Sequence, residues 1–534
     1  MSMNKSFQTH SNKSIAFSAG VIGTATLVSR ILGFIRDIII ARLFGVYIYA
    51  QAFVIAFKIP NLFRDLVGEG ATNAAIVPVF SEYLAKDKKE EFWQLANVLM
   101  NLLLVVLSVI AFLGVVFSPF LVRLIAPGFL ADASKFAATV RLNRLIFPYI
   151  LLIGLSAYSM GILNSLRHFS VPAFAPCLLN ISIIVFALTW GEGIKGLAAG
   201  VLVGGLLQLA IQVPVLYKKG FRFRFTNRFN HPAVRQIARL MTPRLFSSAI
   251  YQLNNFVDSI FGSLALIVGE GGVAALYFAY RLIQFPLGIF SNSISQAILP
   301  SLSCQAIEQD DSKFKDTLLF GLRCVLFVMV PASLGFMTLS KQIISGLFEG
   351  GMFNPYSTYI TSEALFFYSI GLFAYGSSRI LQCGFFALKD TVTPTKVAAI
   401  SLVLNILLNL IFMFPMKLAG LALATSLSGI GGFIMLFFIL NKKVSGLNIE
   451  GLFHFSVRVV AAGIGMAAVC YMASKLYLFP QDLAAGRIAN LFVSIAYGAI
   501  SYIIFGLFLR IKQAKTVFSW LKSKILWVRT NSNR

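Results

Sequence analysis

The sequence predicts an all-α integral membrane protein of about fourteen transmembrane helices, arranged as two six-helix repeats followed by two further C-terminal helices. Three observations predict it. Of 534 residues, 58% are hydrophobic and only 12% charged, with a mean hydropathy of +0.81, whereas a soluble chain carries about 25% charged residues. About fourteen apolar runs approach the ~20 residues that a helix needs to cross the hydrocarbon core. Short motifs also recur at one fixed spacing of 222 residues.

In chain order the runs cover roughly 16–42, 48–67, 94–117, 136–164, 172–190 and 197–217. After a basic loop come roughly 236–263, 273–301, 317–339, 360–387, 392–414 and 418–440, then 454–474 and 487–511. Residues 341–348 adjoin one of the neighbouring runs. The N-terminal MSMNKSFQTHSNKS is polar, and the run after it carries arginines and no cleavage-site pattern. It therefore reads as a retained tail and not a signal peptide. Lys and Arg collect in alternate loops, at Lys86, Lys88 and Lys89, at Arg167, at Lys218, Lys219, Arg222, Arg224, Arg228 and Arg235, and at Lys389, Lys442 and Lys443. The positive-inside rule puts these loops and both basic termini in the cytoplasm, and it accounts for a net charge of +25 without nucleic acid. The tail after 511 mixes Lys512, Lys515, Lys522, Lys524 and Arg529 with Phe518, Trp520 and Trp527, the pattern of a helix lying on an anionic leaflet. Five cysteines and four histidines show no paired spacing, so neither a disulfide framework nor a metal framework is expected.

The repeat fixes the domain plan. LRHFSVP from Leu166 returns as LKDTVTP from Leu388, and Ala75-Ile76-Val77-Pro78 returns as Ala297-Ile298-Leu299-Pro300, both at the same offset (388 − 166 and 300 − 78). The plan is an N-terminal lobe over 1–217, a basic linker over 218–235, a C-terminal lobe over 236–440, helices thirteen and fourteen over 441–511, and a basic tail over 512–534. Six helices return the chain to its starting side, so the halves share one topology about an axis along the membrane normal. That arrangement suits a substrate site between halves and alternating access by rocking.

Ionisable side chains at membrane depth mark function, because each costs at least roughly 2.5–3.5 kcal/mol there. The first two runs carry Arg30, Arg36, Asp37, Arg42, Lys58, Arg64, Asp65 and Glu69. Arg30 and Asp37 are two turns apart on one face, with Gly33 between them, and Gln51, Lys58 and Asp65 repeat at seven with Asn61 in the stripe. Pro60 is expected to kink the second helix. Tyr277, Arg281 and Gln284 share a face of the eighth helix just before Pro286. Arg30, Arg36, Lys58, Arg64 and Arg281 outnumber the acids, which suits an anionic ligand. Arginine's permanently charged fork makes a pyrophosphate the economical candidate. Internal salt bridges such as Arg30–Asp37 or Arg64–Asp65 are the bland alternative. A second set, Asp258 with Asn254 and Asn255, then Asn405, Asn409 and Thr425, offers oxygens for a monovalent cation or a proton relay, or amides that bond helices together. No P-loop, HExxH or GxSxG occurs, so the expectation is a transporter and not an enzyme, without cofactor, coupled to a cation, a proton or the membrane potential.

The stretches SRILGFIRDIIIARLFG and AFKIPNLFRDLVGEGATNAAIVPVFSEY, with YRLIQFPLGIFSNSISQAILPSLS, ALKDTVTP and NILLNL, resemble the MurJ (MviN) family of lipid II flippases in the multidrug/oligosaccharidyl-lipid/polysaccharide exporter superfamily. The resemblance spans nearly the whole chain. It implies fourteen helices in a V-shaped pair of lobes around a cationic cavity, and a groove at helices thirteen and fourteen for a polyprenyl tail. By motif position the family's arginines fall on Arg30, Arg36, Arg64 and Arg281, with Asp37 and Lys58 beside them. The implied substrate is undecaprenyl-pyrophosphate-linked disaccharide pentapeptide, moved from the inner to the outer leaflet of the bacterial cytoplasmic membrane. Membrane lipids and cell-wall synthesis proteins are the implied partners. Gln51, Gln284 and Tyr280 depart from acidic or amide residues usual in the family and make the site more positive. A flippase for another lipid-linked glycan, a cation-coupled multidrug antiporter and a non-transporting scaffold are the competing readings. The surplus of arginines disfavours the antiporter, and three striped helices disfavour the scaffold.

Overall fold

Why the chain folds as it does follows from its punctuation: apolar runs of membrane length separated by short loops whose turn residues recur at the same spacing in both halves. The computed structural model describes residues 2–63, 73–190, 193–226, 232–476, 478–481, 483–520 and 523, and describes their side chains except at 2–19, 63, 73–75, 240, 242–252 and 254–255. It divides into two compact units, Met1–Leu264 and Ala265–Arg534.

The first unit holds α1 (Ser2–Phe44), α2 (Ile48–Phe63), α3 (Asn73–Ala85), α4 (Lys89–Val116), α5 (Ser118–Ile125), α6 (Ala133–Ile146), α7 (Tyr149–Ser165), α8 (Ser170–Thr189), α9 (Ile194–Ala210), α10 (Val213–Lys219) and α11 (Pro232–Gly262). Its core brings Ile76, Phe80, Phe92, Leu95 and Tyr158 together, and the Tyr158 hydroxyl donates to the Ala96 carbonyl at 2.8 Å. α8 and α9 pack backbone to backbone through Gly196, Gly200 and Gly204. A Cβ added at Gly200 would stand 2.8 Å from the Ile183 Cα, and one at Gly204 would stand 2.9 Å from the Leu179 Cα. Glycines four apart on one helix face permit such an approach between membrane helices. α11 packs on α3, α4 and α5, so the division between units falls at 264/265, one helix beyond the 235/236 boundary that the repeat suggested.

The second unit holds α12 (Ala265–Val268), α13 (Gly272–Pro286), a π-helical turn at Leu287–Ser291, α14 (Asn292–Ile307), α15 (Asp311–Leu347), α16 (Pro355–Ile370), α17 (Leu372–Ala387), α18 (Val392–Lys443), α19 (Ile449–Ala473) and α20 (Ala484–Phe508). α15 absorbs residues 341–347 and packs against α19 and α20, where the Tyr502 hydroxyl donates to the Phe327 carbonyl at 2.8 Å. Residues 512–520 are helical, with Phe518 and Trp520 exposed.

Each of the fourteen expected runs meets helix, four of them (136–164, 197–217, 273–301 and 360–387) as two helices in succession, and the run at 48–67 passes at 64 out of the described residues. Among the described residues nine helices are long and apolar enough to cross a membrane, and α16 with α17, bent by 43°, make a tenth. α18 carries two runs in one 52-residue element, because the chain reverses at Lys417 (φ 51°, ψ −128°) inside it. Gly193, between α8 and α9, has nearly the same conformation (φ 54°, ψ −117°). The repeat is written into the backbone elsewhere too. Asp87 and Gln309 (φ 53° and 56°) and Arg167 and Lys389 (φ 55° and 57°) are left-handed turn residues at the 222 offset (309 − 87 and 389 − 167). α4 and α15, α6 and α16, and α8 and α18 start at the same offset (311 − 89, 355 − 133 and 392 − 170).

Candidate functional site

α1 carries the first two cations of the candidate site, and the structure gives them different surroundings. Arg30 is exposed and makes no hydrogen bond or ion pair among the described residues. Arg36 and Asp37 are 4% and 1% exposed. Arg36 Nε and Nη2 both donate to Asp37 Oδ1, at 3.0 and 2.7 Å, and Nη1 donates to Asn180 Oδ1 of α8 at 3.1 Å. Asn180 Nδ2 in turn donates to the Ser29 carbonyl at 3.1 Å. The acid therefore pairs with its sequence neighbour Arg36, and not with Arg30 as shared helix-face spacing had suggested. Adjacent side chains diverge by about 100° on a helix, so the pair closes only because the long arginine stem curls back.

The Arg36 guanidinium also lies 5.7 Å from the centroid of the Phe57 ring. Phe57 stacks on Phe53 with centroids 5.2 Å apart and tilts against Tyr149 at 6.2 Å. The Tyr149 hydroxyl donates to Gln208 Oε1 at 3.2 Å, and Gln212 Nε2 donates to Ser156 Oγ at 2.7 Å and to the Gln208 carbonyl at 2.9 Å. A ring beside a desolvated guanidinium is worth about 2 kcal/mol or more. The arginine is thus held by a carboxylate, an amide and a π-face at once.

Lys58 of α2 is half-buried and donates to Ser259 Oγ of α11. Its ammonium lies 5.8 Å from the Phe256 ring centroid and within electrostatic reach of Asp258. The sequence reading assigns Lys58 to substrate and Asp258 to coupling; the structure brings them together in one unit. Gln51 is buried on the same helix. Arg64, with Asp65 and Glu69, lies outside the described residues, and so does the side chain of Asn254, whose backbone is helical within α11.

In the second unit Arg281 and Gln284 are half-buried on α13, and the Arg281 guanidinium lies 5.7 Å from the Tyr277 ring centroid. Tyr280 packs edge-on against Tyr368 at 5.5 Å. Just beyond Pro286 the helix loosens into the π turn at Leu287–Ser291, where the Ser291 hydroxyl donates to the Gly376 carbonyl at 2.8 Å. Such turns cluster at functional sites. Arg379 of α17 donates to Asn292 Oδ1 at the far end of that turn. Asn180 and Arg379 were passed over by the sequence reading. Arg379, a charge inside the 360–387 run, carried the same signal that singled out Arg281.

Asn405, Asn409 and Thr425 are all buried and connected along α18 across its reversal. Asn405 Nδ2 donates to Thr425 Oγ1 at 3.1 Å, Asn409 Nδ2 donates to Asn405 Oδ1 at 3.0 Å, and the Thr425 hydroxyl donates to the Leu421 carbonyl at 3.1 Å. The Asn409 amide oxygen is buried without a partner among the described residues. The set therefore bonds the two arms of α18, as amide glue would, while presenting an oxygen still able to accept.

The family described as "Lipid II flippase MurJ" matches residues 40–486. A relative named "Probable lipid II flippase MurJ" from Buchnera aphidicola subsp. Acyrthosiphon pisum is 34% identical over 459 residues, 84% of this chain and 88% of that protein. One of the same name from Vibrio cholerae is 34% identical over 484 residues, 88% of this chain and 90% of its own. Among solved structures, "Lipid II flippase MurJ, inward closed conformation" superposes with a TM-score of 0.78 at 29% identity, over 92% of this chain and 98% of that one. An inward-facing multidrug resistance transporter of the MATE family superposes at 0.68 with 16% identity, over 78% of this chain and 94% of that one, a likeness of fold alone.

Proposed function

We infer the function of this chain from the fact that it belongs to the MurJ family of lipid II flippases. It is a multi-pass membrane transporter that moves the lipid-linked peptidoglycan precursor lipid II from the inner to the outer leaflet by alternating access. The observation that carries the ligand chemistry is Arg30: a permanent cation on a membrane helix, exposed and without an ion pair among the described residues. A guanidinium in that state gains most from a doubly accepting anion, and a pyrophosphate supplies one.

The roles proposed for the other side chains follow from their partners. Arg36 is neutralised by Asp37, so it shapes and orients the positive face that Arg30 offers. Arg281 on α13, with Gln284 one turn on, presents a second cation, and Arg64 joins the set by motif. Lys58, held by Ser259 beside Asp258, is a cation whose hold on α11 can change with the state of Asp258. Coupling to a monovalent cation or a proton is proposed at two places: Asp258 with Asn254 on α11, and the Asn405–Asn409–Thr425 network of α18. Both termini are proposed to be cytoplasmic from the basic loops, with the bacterial inner membrane as the location and cell-wall synthesis proteins as further partners.

The test is depletion and rescue in a bacterium whose own flippase is switched off, with lipid II on the outer leaflet as readout. Wild type restores outward lipid II; Arg30→Ala and Arg281→Ala, expressed at wild-type level, do not; Asp258→Asn alters the dependence on ion or proton gradient. Well-expressed arginine variants that rescue fully overturn the site assignment, and an inserted wild type that fails to rescue overturns the substrate.

A further inference from the structure

Away from the cationic residues, the first unit contains a cavity of about 230 Å³ that the flippase reading does not use. Met100 and Leu104 of α4, Leu155 of α7 and Leu209 of α9 line it, together with Tyr217 and Phe223, both of which also reach the surface. The Ser159 hydroxyl also borders it, fully buried and without a hydrogen-bond partner among the described residues.

The segment that closes one side of this cavity is unusual. Residues 221–226, FRFRFT, follow α10 without regular secondary structure, their backbone pinned to α4. Asn97 Oδ1 accepts from Arg224 N at 2.7 Å, Asn97 Nδ2 donates to the Arg222 carbonyl at 3.0 Å, and Asn101 Nδ2 donates to the Arg224 carbonyl at 2.9 Å. Two asparagines thus satisfy three main-chain groups that a strand partner would otherwise take. Phe221 and Phe223 line the cavity, and the cation between them, Arg222, reaches a third lining residue, Tyr217. The Arg222 guanidinium lies 5.4 Å from the Tyr217 ring centroid and spends Nη1 on the Tyr217 and Phe221 carbonyls, at 2.8 and 3.0 Å. The rest of its fork, and the whole side chain of Arg224, make no bond among the described residues. Lys218 and Lys219 are exposed alongside. The segment itself supplies no acid, since no Asp or Glu occurs in the sequence between Glu192 and Asp258; on α4 the nearest acids are Glu90 and Glu91, and Glu91 is paired with Lys88 at 2.8 Å.

We propose that this cavity and its basic rim form a site for an anionic phospholipid, one acyl chain seated among Met100, Leu104, Leu155 and Leu209 and the phosphate held by Arg222 and Arg224. It stands apart from the flippase reading. The apolar lining fits a hydrocarbon chain, the unpartnered Ser159 hydroxyl fits an ester carbonyl, and four cations within residues 218–224 fit a phosphate whose charge the headgroup does not cancel. Clustered Lys and Arg at a membrane surface select anionic lipids by this charge balance. Bound lipid would tie the 221–226 segment, and through it α10, to α4 and α7.

The experiment is native mass spectrometry of the full chain released from detergent, after incubation with dioleoyl phosphatidylglycerol or dioleoyl phosphatidylcholine. Wild type is expected to retain one phosphatidylglycerol in preference to phosphatidylcholine. The double variant Arg222→Gln/Arg224→Gln, which leaves the main-chain pins intact, is expected to bind about fivefold more weakly per neutralised cation, a factor equal to roughly 1 kcal/mol each. Leu104→Trp, filling the cavity, is expected to lose the retained lipid while eluting as wild type on gel filtration. Equal retention of the two lipids overturns the proposal, and so does a double variant that binds phosphatidylglycerol as wild type does. A folded Leu104→Trp that still retains the lipid reduces the effect to surface charge and also overturns it. Should Leu104→Trp fail to fold, the arginine variant alone decides.

Discussion

Asp37→Ala removes one half of an ion pair that water does not reach. Asp37 and Arg36 are 1% and 4% exposed, and the guanidinium donates to Asp37 Oδ1 through both Nε and Nη2. Truncation removes the carboxylate that takes the Arg36 Nε and Nη2 hydrogens, leaving the bond to Asn180 and the Phe57 ring in place. Breaking a buried pair from one side costs about 3–5 kcal/mol, a large share of the roughly 5–15 kcal/mol that holds a domain together. Asp37→Asn keeps an acceptor but not the charge and should cost roughly 1.5–3 kcal/mol. Replacing both partners, Arg36→Met with Asp37→Leu, removes the desolvation penalty along with the attraction and should restore near wild-type stability. The assay is thermal inactivation in detergent, followed by the fraction that stays monodisperse, since unfolding of such a protein is read as a rate. A single Asp37→Ala variant within about 0.5 kcal/mol of wild type would be ordinary surface behaviour and would refute the reasoning. A double variant less stable than the single would do the same. If the double variant is stable yet fails to rescue a flippase-depleted bacterium, folding and transport are separated at this pair.

Other expectations are more local. Gly200→Leu should abolish stable expression, because even a Cβ there meets the Ile183 Cα at 2.8 Å; wild-type yield would refute the α8–α9 close packing. Thr425→Val removes the acceptor for Asn405 and should cost about 1 kcal/mol, and Asn409→Leu added to it should cost less than the two separately, read from unfolding midpoints of the double-mutant cycle. Asp390, in the loop before α18, is held well below the usual carboxylate range, first by the hydrogen bond from Lys443 at 2.7 Å and then by the Thr393 N–H at 2.9 Å. A depressed folded pKa stabilises above the unfolded value of about 3.9 and is lost as pH falls through the folded one. Lys443 is 42% exposed, so its share is worth only about 0.2–1 kcal/mol. Lys443→Ala should trail wild type by that amount from pH 8 to about 5 and converge with it in stronger acid; a gap that persists unchanged in acid would count against the pair.

The helices were legible because hydropathy over ~20 residues is a one-dimensional quantity. The repeat was legible because its turn motifs kept a few letters at fixed spacing, the Leu, Val and Pro shared by LRHFSVP and LKDTVTP, and the left-handed residues Arg167 and Lys389 sit inside those motifs. Side-chain partners were not legible. Helical spacing gives the azimuth of a residue but not the helix that will face it, so Arg36–Asn180, 144 residues apart, and Lys58–Ser259, 201 apart, could not be read from periodicity. Arg30 and Asp37 share an azimuth and still do not pair, because a nearer arginine reaches the carboxylate first. The π turn after Pro286 was hidden for a different reason: proline announces a break in the ladder without saying how the backbone will repair it. The fusion of two runs into α18 turns on one residue, Lys417, in a conformation that sequence assigns to glycine.

The 222-residue register also bears on ancestry. Stepped through it, Arg36 and Asp37 correspond to Asp258 and Ser259, and Lys58 corresponds to Tyr280 (258 − 36, 259 − 37 and 280 − 58). Two separate copies of one six-helix gene product would have to carry the same residue at both places, arginine twice or aspartate twice. A tandem duplication lifts that restriction. Once joined, the copies can drift apart in charge while the turns that set their backbone stay under common selection, and the preserved left-handed residues beside the exchanged ionic ones record that division. Directionality of this kind is open to a fused chain and closed to a homodimer of its ancestor.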